Sequence, residues 1–241
     1  MNRPVKLSLD ILMGSVVPIL ILNNLNSQLG AVTTYIVAAL VSVLWVFIDL
    51  LFITKRFNFI TSYVGVFAIG RGVLAFWFVD GILFALKDTL AAIFTALVFG
   101  VSIIIHKPII YYFVVQGLNP TSPQQEAFLK KLLDEPGVYR ALVKGTKIVL
   151  LITLFTGAAN FVLNLQMVVA DFGTTIFNQQ VARVNAITRI ALTIPEFIGI
   201  GIAAVGIRQA ILHYLPEEDD EAQDDSDFWT LLELREAQKL D

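Results

Sequence analysis

Apolar segments recur along the chain at about 9–24, 31–53, 58–79, 89–105, 148–168 and 188–213, each bounded by charge, proline or a polar cluster. A helix needs about 20 predominantly apolar residues to cross the hydrocarbon layer. The pattern predicts an all-α fold, a polytopic membrane helical bundle of about six transmembrane helices occupying residues 1–215. The first segment is short and carries Pro18, which kinks a helix or ends its regular hydrogen bonding. Arg3 and Lys6 precede it, as they do in a signal peptide, but the polar run 23–28 offers no small-x-small cleavage site. It is therefore expected to stay as a span.

Two stretches are amphipathic instead. Residues 109–116, after His106-Lys107-Pro108, hold Tyr111 and Tyr112 and suit the headgroup level. Residues 123–145 alternate Phe128, Leu132 and Leu133 with Lys130 and Lys131, break at Pro136-Gly137, and resume with Tyr139, Leu142 and Val143. Together 109–145 reads as helices lying on the cytoplasmic membrane surface, or as an ordinary connector. Asp80 and Lys87-Asp88 frame 81–86, too short to span, as an interfacial turn on the outer face. From Pro216 the chain turns acidic through 217–227, a composition that predicts disorder. In the closing segment Phe228, Leu231, Leu232 and Arg235 share one helical face at i, i+3, i+4 and i+7, with Ser226 near the N-cap. Phe228, Trp229, Leu231 and Leu232 then form either a tethered docking peptide for a protein partner or a tail resting on its own protein. The docking reading expects that removing 217–241 leaves the bundle folded.

Composition sharpens the class. The 241 residues are 56% hydrophobic and 15% charged, with a mean hydropathy of +0.74, against about 45–50% and 25% in soluble domains. The absence of cysteine removes disulfides and thiolate sites. Basic residues set the orientation. Arg3, Lys6, Lys55, Arg56, Lys107, Lys130, Lys131, Arg140, Lys144, Lys147 and Arg208 all fall on one side of six crossings, leaving Lys87, Arg183 and Arg189 for the other. Both termini are thus expected in the cytoplasm, with 23–30 and 80–88 outside. These basic residues hug span ends, which suits anionic lipid headgroups and not nucleic acid.

Charge inside a span costs at least about 2.5–3.5 kcal/mol. Asp10 and Asp49, near cytoplasmic span ends, read as anchors. Arg71 lies eight residues before 79, Asn160 eight before 168, and Glu196 eight after 188. At 1.5 Å per residue all three sit about 12 Å below the outer boundary. This layer is either a buried structural pair between Arg71 and Glu196 or the wall of a solute path, and Pro195 frees a carbonyl beside it. Thr61, Gly65, Ala68, Gly72 and Ala75 form a small-residue stripe for close helix packing. His106 and His213 stand apart, and no nucleotide loop, metal-ligand spacing or paired-carboxylate cluster is present. No catalytic residue, metal site or cofactor is expected.

Asp10-Ile11-Leu12 with Pro18, the Lys55-Arg56 hairpin and the exit His106-Lys107-Pro108-Ile109-Ile110-Tyr111-Tyr112 carry a resemblance over about residues 8–115. They resemble an uncharacterised bacterial multi-helix membrane protein family, itself similar to the intracellular septation protein A group. That group's charged outer turn, helix and basic-Pro-apolar exit matches 87–110. The resemblance implies a bacterial inner-membrane protein of the cell envelope and brings no catalytic residues. The acidic tail departs from that family's pattern. The leading expectation is a non-enzymatic scaffold or subunit of an envelope complex. The second is a small-solute or lipid transporter using Arg71, Asn160 and Glu196, and the third a membrane-embedded enzyme.

Overall fold

The computed structural model describes residues 9, 12–54, 59–216 and 228–238. Side chains of residues 15, 54, 59–64 and 71 lie outside the described set. Every regular element within it is helical.

A π-helical turn, Leu12–Val16, runs directly into α1 (Val17–Asn24), so the missing N–H of Pro18 forfeits a bond to the preceding turn, where Gly14 O instead accepts from Arg189. After the single turn Asn26–Leu29, Gly30 adopts φ +74 and reverses the chain. Then α2 (Ala31–Ile48) runs into a second π-helical stretch, Asp49–Thr54, and α3 covers Phe59–Ala75. Next come α4 (Gly81–Ile104), α5 (Ile109–Leu118), α6 (Pro123–Leu133) and α7 (Pro136–Met167). The chain closes with α8 (Thr175–Ala191), α9 (Thr193–Leu212) and α10 (Phe228–Gln238).

Four helical stretches among the described residues are long and apolar enough to cross a membrane: Ala31–Ile53, Gly81–Ile104, Pro136–Met167 and Thr175–Leu212. In three of them only 17% of the most apolar window is buried by protein, and in Gly81–Ile104 33%. Apolar side chains left so widely uncovered need lipid as their solvent.

The boundaries differ from the sequence reading in three places. The outer turn 81–86 and the span 89–105 are one helix, because Lys87 and Asp88 find polar partners and need not end it. The surface segment 139–145 and the span 148–168 are likewise one helix. Pro136 occupies the first helical position, where a missing N–H costs nothing, and the helix runs unbroken to Met167. The last span does not begin at 188: α8 already starts at Thr175, capped by Thr174 Oγ1 accepting from Phe177 N at 3.1 Å. It breaks at Leu192 before Pro195 in the first turn of α9.

The chain divides into two compact units. The first comprises residues 1–95 and 153–196. Its core joins Leu22, Tyr35, Ala38, Phe84, Val168 and Phe177, with Phe172 edge-on to Tyr35 at 5.5 Å and to Phe177 at 5.3 Å. Within it α3 lies along α2, where an added Cβ on Gly65 would meet Leu50 at 3.4 Å and one on Gly72 would meet Val43 at 3.5 Å. Ala68 is buried between them in sequence.

The second unit comprises 96–152 and 197–241. Its core gathers Leu129, Leu132 and Leu133 of α6, Val138 and Leu142 of α7, and Ile207 and Ile211 of α9. Leu231 and Leu232 of α10 complete it. The closing helix therefore belongs to this core and is not a segment apart.

Candidate functional site

On α4 the residues Phe84, Lys87, Asp88 and Ala91 fall at i, i+3, i+4 and i+7 and so share a face. Lys87 is buried; its Nζ donates to the Trp77 carbonyl at 2.6 Å and stands 4.8 Å from the Tyr35 ring centroid. A carbonyl and an aromatic face together replace part of the ammonium's hydration. Asp88 is seven residues into α4 (81 to 88), and Asn160 is seven before the end of the antiparallel α7 (160 to 167). Both therefore sit about 11 Å from the same end of the helix pair. Asn160 Nδ2 donates to Asp88 Oδ2 at 3.0 Å, and Asn164 Nδ2, one turn on, donates to the same oxygen at 2.9 Å. Close approach of α4 and α7 permits this, because Gly157 faces Ala92.

A second amide network ties α8 to the α1–α2 connection. Asn178 Nδ2 donates to Ala31 O at 2.8 Å and to Asn26 Oδ1, and Asn26 Nδ2 donates to Leu22 O at 2.6 Å. Among the described residues two carboxamide oxygens, Asn164 Oδ1 and Asn178 Oδ1, are buried without a hydrogen-bond partner.

Beside the first network lies a cavity of about 560 Å³, enclosed wholly by the first unit. Such a volume falls within the roughly 300–1,000 Å³ of small-molecule sites. One face of α2 lines it from Tyr35 through Ala38, Ala39, Ser42 and Val46 to Asp49. Those fourteen residues (35 to 49) extend about 21 Å along the axis. Lys87 and Asp88 line the Tyr35 end. Arg189 lines it too and donates to Gly14 O at 3.1 Å. Gly14 precedes Leu22 by eight residues, and Leu22 packs with Tyr35. Since α1 runs antiparallel to α2, Gly14 and Arg189 belong toward the Asp49 end. Among the described residues Lys87 and Asp88 line one part of the wall and Arg189 and Asp49 another, and between them alanine and valine alternate with larger apolar side chains, Ser42 and Asn185. Among the described residues no three His, Cys, Asp or Glu side chains sit together. The wall offers a ligand charge, hydrogen bonds and apolar contact.

The expected layer of Arg71, Asn160 and Glu196 is not what the structure assembles around Asn160. Its partner is Asp88, which the sequence reading had placed in the outer turn. The Arg71 side chain lies outside the described residues, as does Asp10, and Glu196 is exposed in the first turn of α9. Asp49, expected as an anchor, lines the cavity. The signal that was present and unused is the pair of asparagines at 160 and 164, spaced one turn apart inside an apolar helix. A lone amide there is costly, and two on one face require a common acceptor.

At the other candidate site, α10 folds back within the second unit. Leu231 and Leu232 are fully buried, and Phe228 and Trp229 pack partly against the same core. Arg235, buried, pairs with Glu135 and with Glu236 at 2.6 Å, while Lys131 reaches Glu236 at 3.2 Å. The side chains expected to face a protein partner thus lie against α6. Their complement, Leu129, Leu132 and Leu133, uncharged and on one side of α6, outweighs the acidic linker's tendency to stay in water. No protein-family model matches the chain, and neither a curated protein nor a solved structure matches it.

Proposed function

We propose that the chain is a multi-pass bacterial inner-membrane protein that binds a small molecule inside its helical bundle and carries it within or across the membrane. The observation that carries this reading is the 560 Å³ cavity with charge of both signs in its wall, three of whose five stretches lie on helices of membrane-spanning length and hydropathy. Ionisable groups inside spans are costly and commonly mark substrate paths. The basic-residue pattern supports six crossings with cytoplasmic termini. In that orientation Lys87 and Asp88 lie toward the outer face and Asp49 toward the inner one, while Arg189, counted on the outer side from the sequence, is drawn into the cavity wall beside Gly14. The resemblance of residues 8–115 to the septation protein A relatives adds a cell-envelope setting to this reading. The closing segment adds no support to the scaffold role expected first from the sequence, because its leucines are engaged within the chain.

The test is native mass spectrometry of the purified protein beside a Ser42→Phe variant, which fills the waist. A co-purifying small molecule present in the parent and lost from the folded variant is the expected result. A stoichiometric protein partner with no small molecule in either sample would return the scaffold reading to first place.

A further inference from the structure

Resting on the cavity reading above, we propose that the ligand is an aromatic α-amino acid whose side chain ends in a hydrogen-bonding group, tyrosine being the simplest case. Two charges in the wall have bonding capacity to spare. Lys87 is only 6% exposed, yet among the described residues its Nζ donates to Trp77 O alone, at 2.6 Å. An ammonium carries three N–H groups, so two are unspent. Asp88 accepts from Asn160 and Asn164 on Oδ2, and among the described residues Oδ1 accepts from none. Both side chains line the cavity. A ligand bearing a carboxylate and an ammonium completes both, whereas a carboxylate alone would meet Asp88 and an ammonium alone Lys87. Consecutive Cα atoms are about 3.8 Å apart, so the two complements belong on one compact head, as an α-amino acid offers. The ligand's cation has to bear N–H groups. Tyr35 and Phe84, the rings that would suit a quaternary nitrogen, already hold Lys87 Nζ at 4.8 and 5.9 Å from their centroids.

Two neutral polar groups stand further along the wall. Among the described residues the Ser42 hydroxyl and the Asn185 carboxamide line the cavity and make no side-chain hydrogen bond. Asn178 meets Ala31 and, further along both helices, Val181 shares a core with Tyr35, so α8 and α2 run the same way. Asn185 is then one turn past the Tyr35 level, about 6 Å, and Ser42 about 10 Å past it. Leu22, Ala38, Val181 and the Phe84 ring, which pack around Tyr35 in one core, keep that stretch of wall apolar. An aromatic side chain fills such a stretch and delivers a hydroxyl to Asn185 and Ser42, whose polar groups otherwise stay unpaired. This recognition needs neither Arg189, which is bonded to Gly14 O, nor Asp49.

Binding of tritiated L-tyrosine to the full chain in detergent is measured by scintillation proximity, with three competitors that each lack one group. L-phenylalanine lacks the hydroxyl, tyramine the carboxylate and 3-(4-hydroxyphenyl)propionate the ammonium. Saturable binding is expected, with unlabelled tyrosine competing at least about tenfold better than each analogue, because each leaves a wall group unpaired. Ser42→Ala combined with Asn185→Leu breaks no side-chain hydrogen bond of the protein. It should bring phenylalanine level with tyrosine and leave the two other preferences in place. Tyramine or the propionate competing as well as tyrosine overturns the amino-acid head. Phenylalanine doing so in the parent, or keeping its deficit in the double variant, overturns the polar end. No saturable tyrosine binding overturns the proposal whole. The carrier reading is judged separately on the same preparation by native mass spectrometry: a small molecule lost in Ser42→Phe upholds it, and none in either sample removes it too.

Discussion

Gly157 has no room for a side chain: a Cβ there would stand 2.8 Å from the Cβ of Ala92. Neither atom is on a flexible chain, so Gly157→Ala has to push α7 away from α4. A cost of about 1–3 kcal/mol is expected, typical of overpacking, measurable as a lowered thermal midpoint in detergent. Because that shift also lengthens the Asp88 hydrogen bonds, Asp88 itself is the sharper probe. Asp88→Ala removes the shared acceptor of half-buried Asn160 and buried Asn164, which keeps its bond to Asn160 O at 3.0 Å, and should cost about 1–3 kcal/mol in all. Asn160→Ala alone removes one donor, and in a double-mutant cycle with Asp88→Ala the losses should fall short of additive by about 0.5–3 kcal/mol. Strict additivity would mean that the two do not interact. Asn160 was legible as costly from the sequence alone, but its partner was not. Depth counted from the ends of apolar runs placed it level with Arg71 and Glu196, and Asp88 stayed out of that count because the fourth run was started at 89. Once the helix starts at Gly81, whose φ of +53 suits glycine at that bend, the same counting brings Asp88 level with Asn160.

Elements were easier to see than their ends. The apolar runs at 31–53 and 148–168 coincide with helices because nothing interrupts them, and 89–105 was truncated only because Lys87-Asp88 looked like a boundary. A charge pair ends an apolar window in a sequence scan but does not end a helix whose side chains are hydrogen-bonded elsewhere. The face of α10 was equally plain, at Phe228, Leu231, Leu232 and Arg235. The surface that receives it lies about 100 residues earlier, and no local pattern joins the two. Leu232→Ala should cost the second unit about 2–5 kcal/mol. Arg235→Ala removes the buried guanidinium between Glu135 and Glu236, leaves Lys131 on Glu236, and should cost about 1–3 kcal/mol. Either change should speed tryptic cleavage after Lys130 and Lys131 in limited proteolysis, since both lysines are exposed beside the α10 contact. An unchanged cleavage rate in both variants would mean that α10 contributes little to holding α6.

For the whole molecule, the strongest legible property was the solvent it needs. A mean hydropathy of +0.74 and uncovered apolar helices agree on lipid. The orientation expected from basic residues is checked by labelling from outside intact cells. A cysteine replacing the exposed Ser27 should react with an impermeant maleimide, and one replacing the exposed Gln124 should react only after permeabilisation. The opposite pattern would invert the topology and, with it, which cavity end faces the cytoplasm. Nothing in composition announced the cavity, because its wall is assembled from single residues on five separate stretches of chain. None of those stretches is unusual by itself.

The docking of α10 on α6 also has a consequence for the order of synthesis. Leu132 leaves the ribosome 99 residues before Leu231 (132 to 231), an interval of about 5–20 s at roughly 5–20 residues per second. Throughout that time the leucine face of α6, packed by Val138 and Leu142 of α7, still lacks the part of its cover that Leu231 and Leu232 supply. A copy whose translation stops early never acquires the cover, and it presents the uncovered face to proteases and chaperones. The eleven residues of α10 thereby act as a late seal: a copy that stops before residue 228 keeps that part of the leucine face open, and the opening marks it as unfinished.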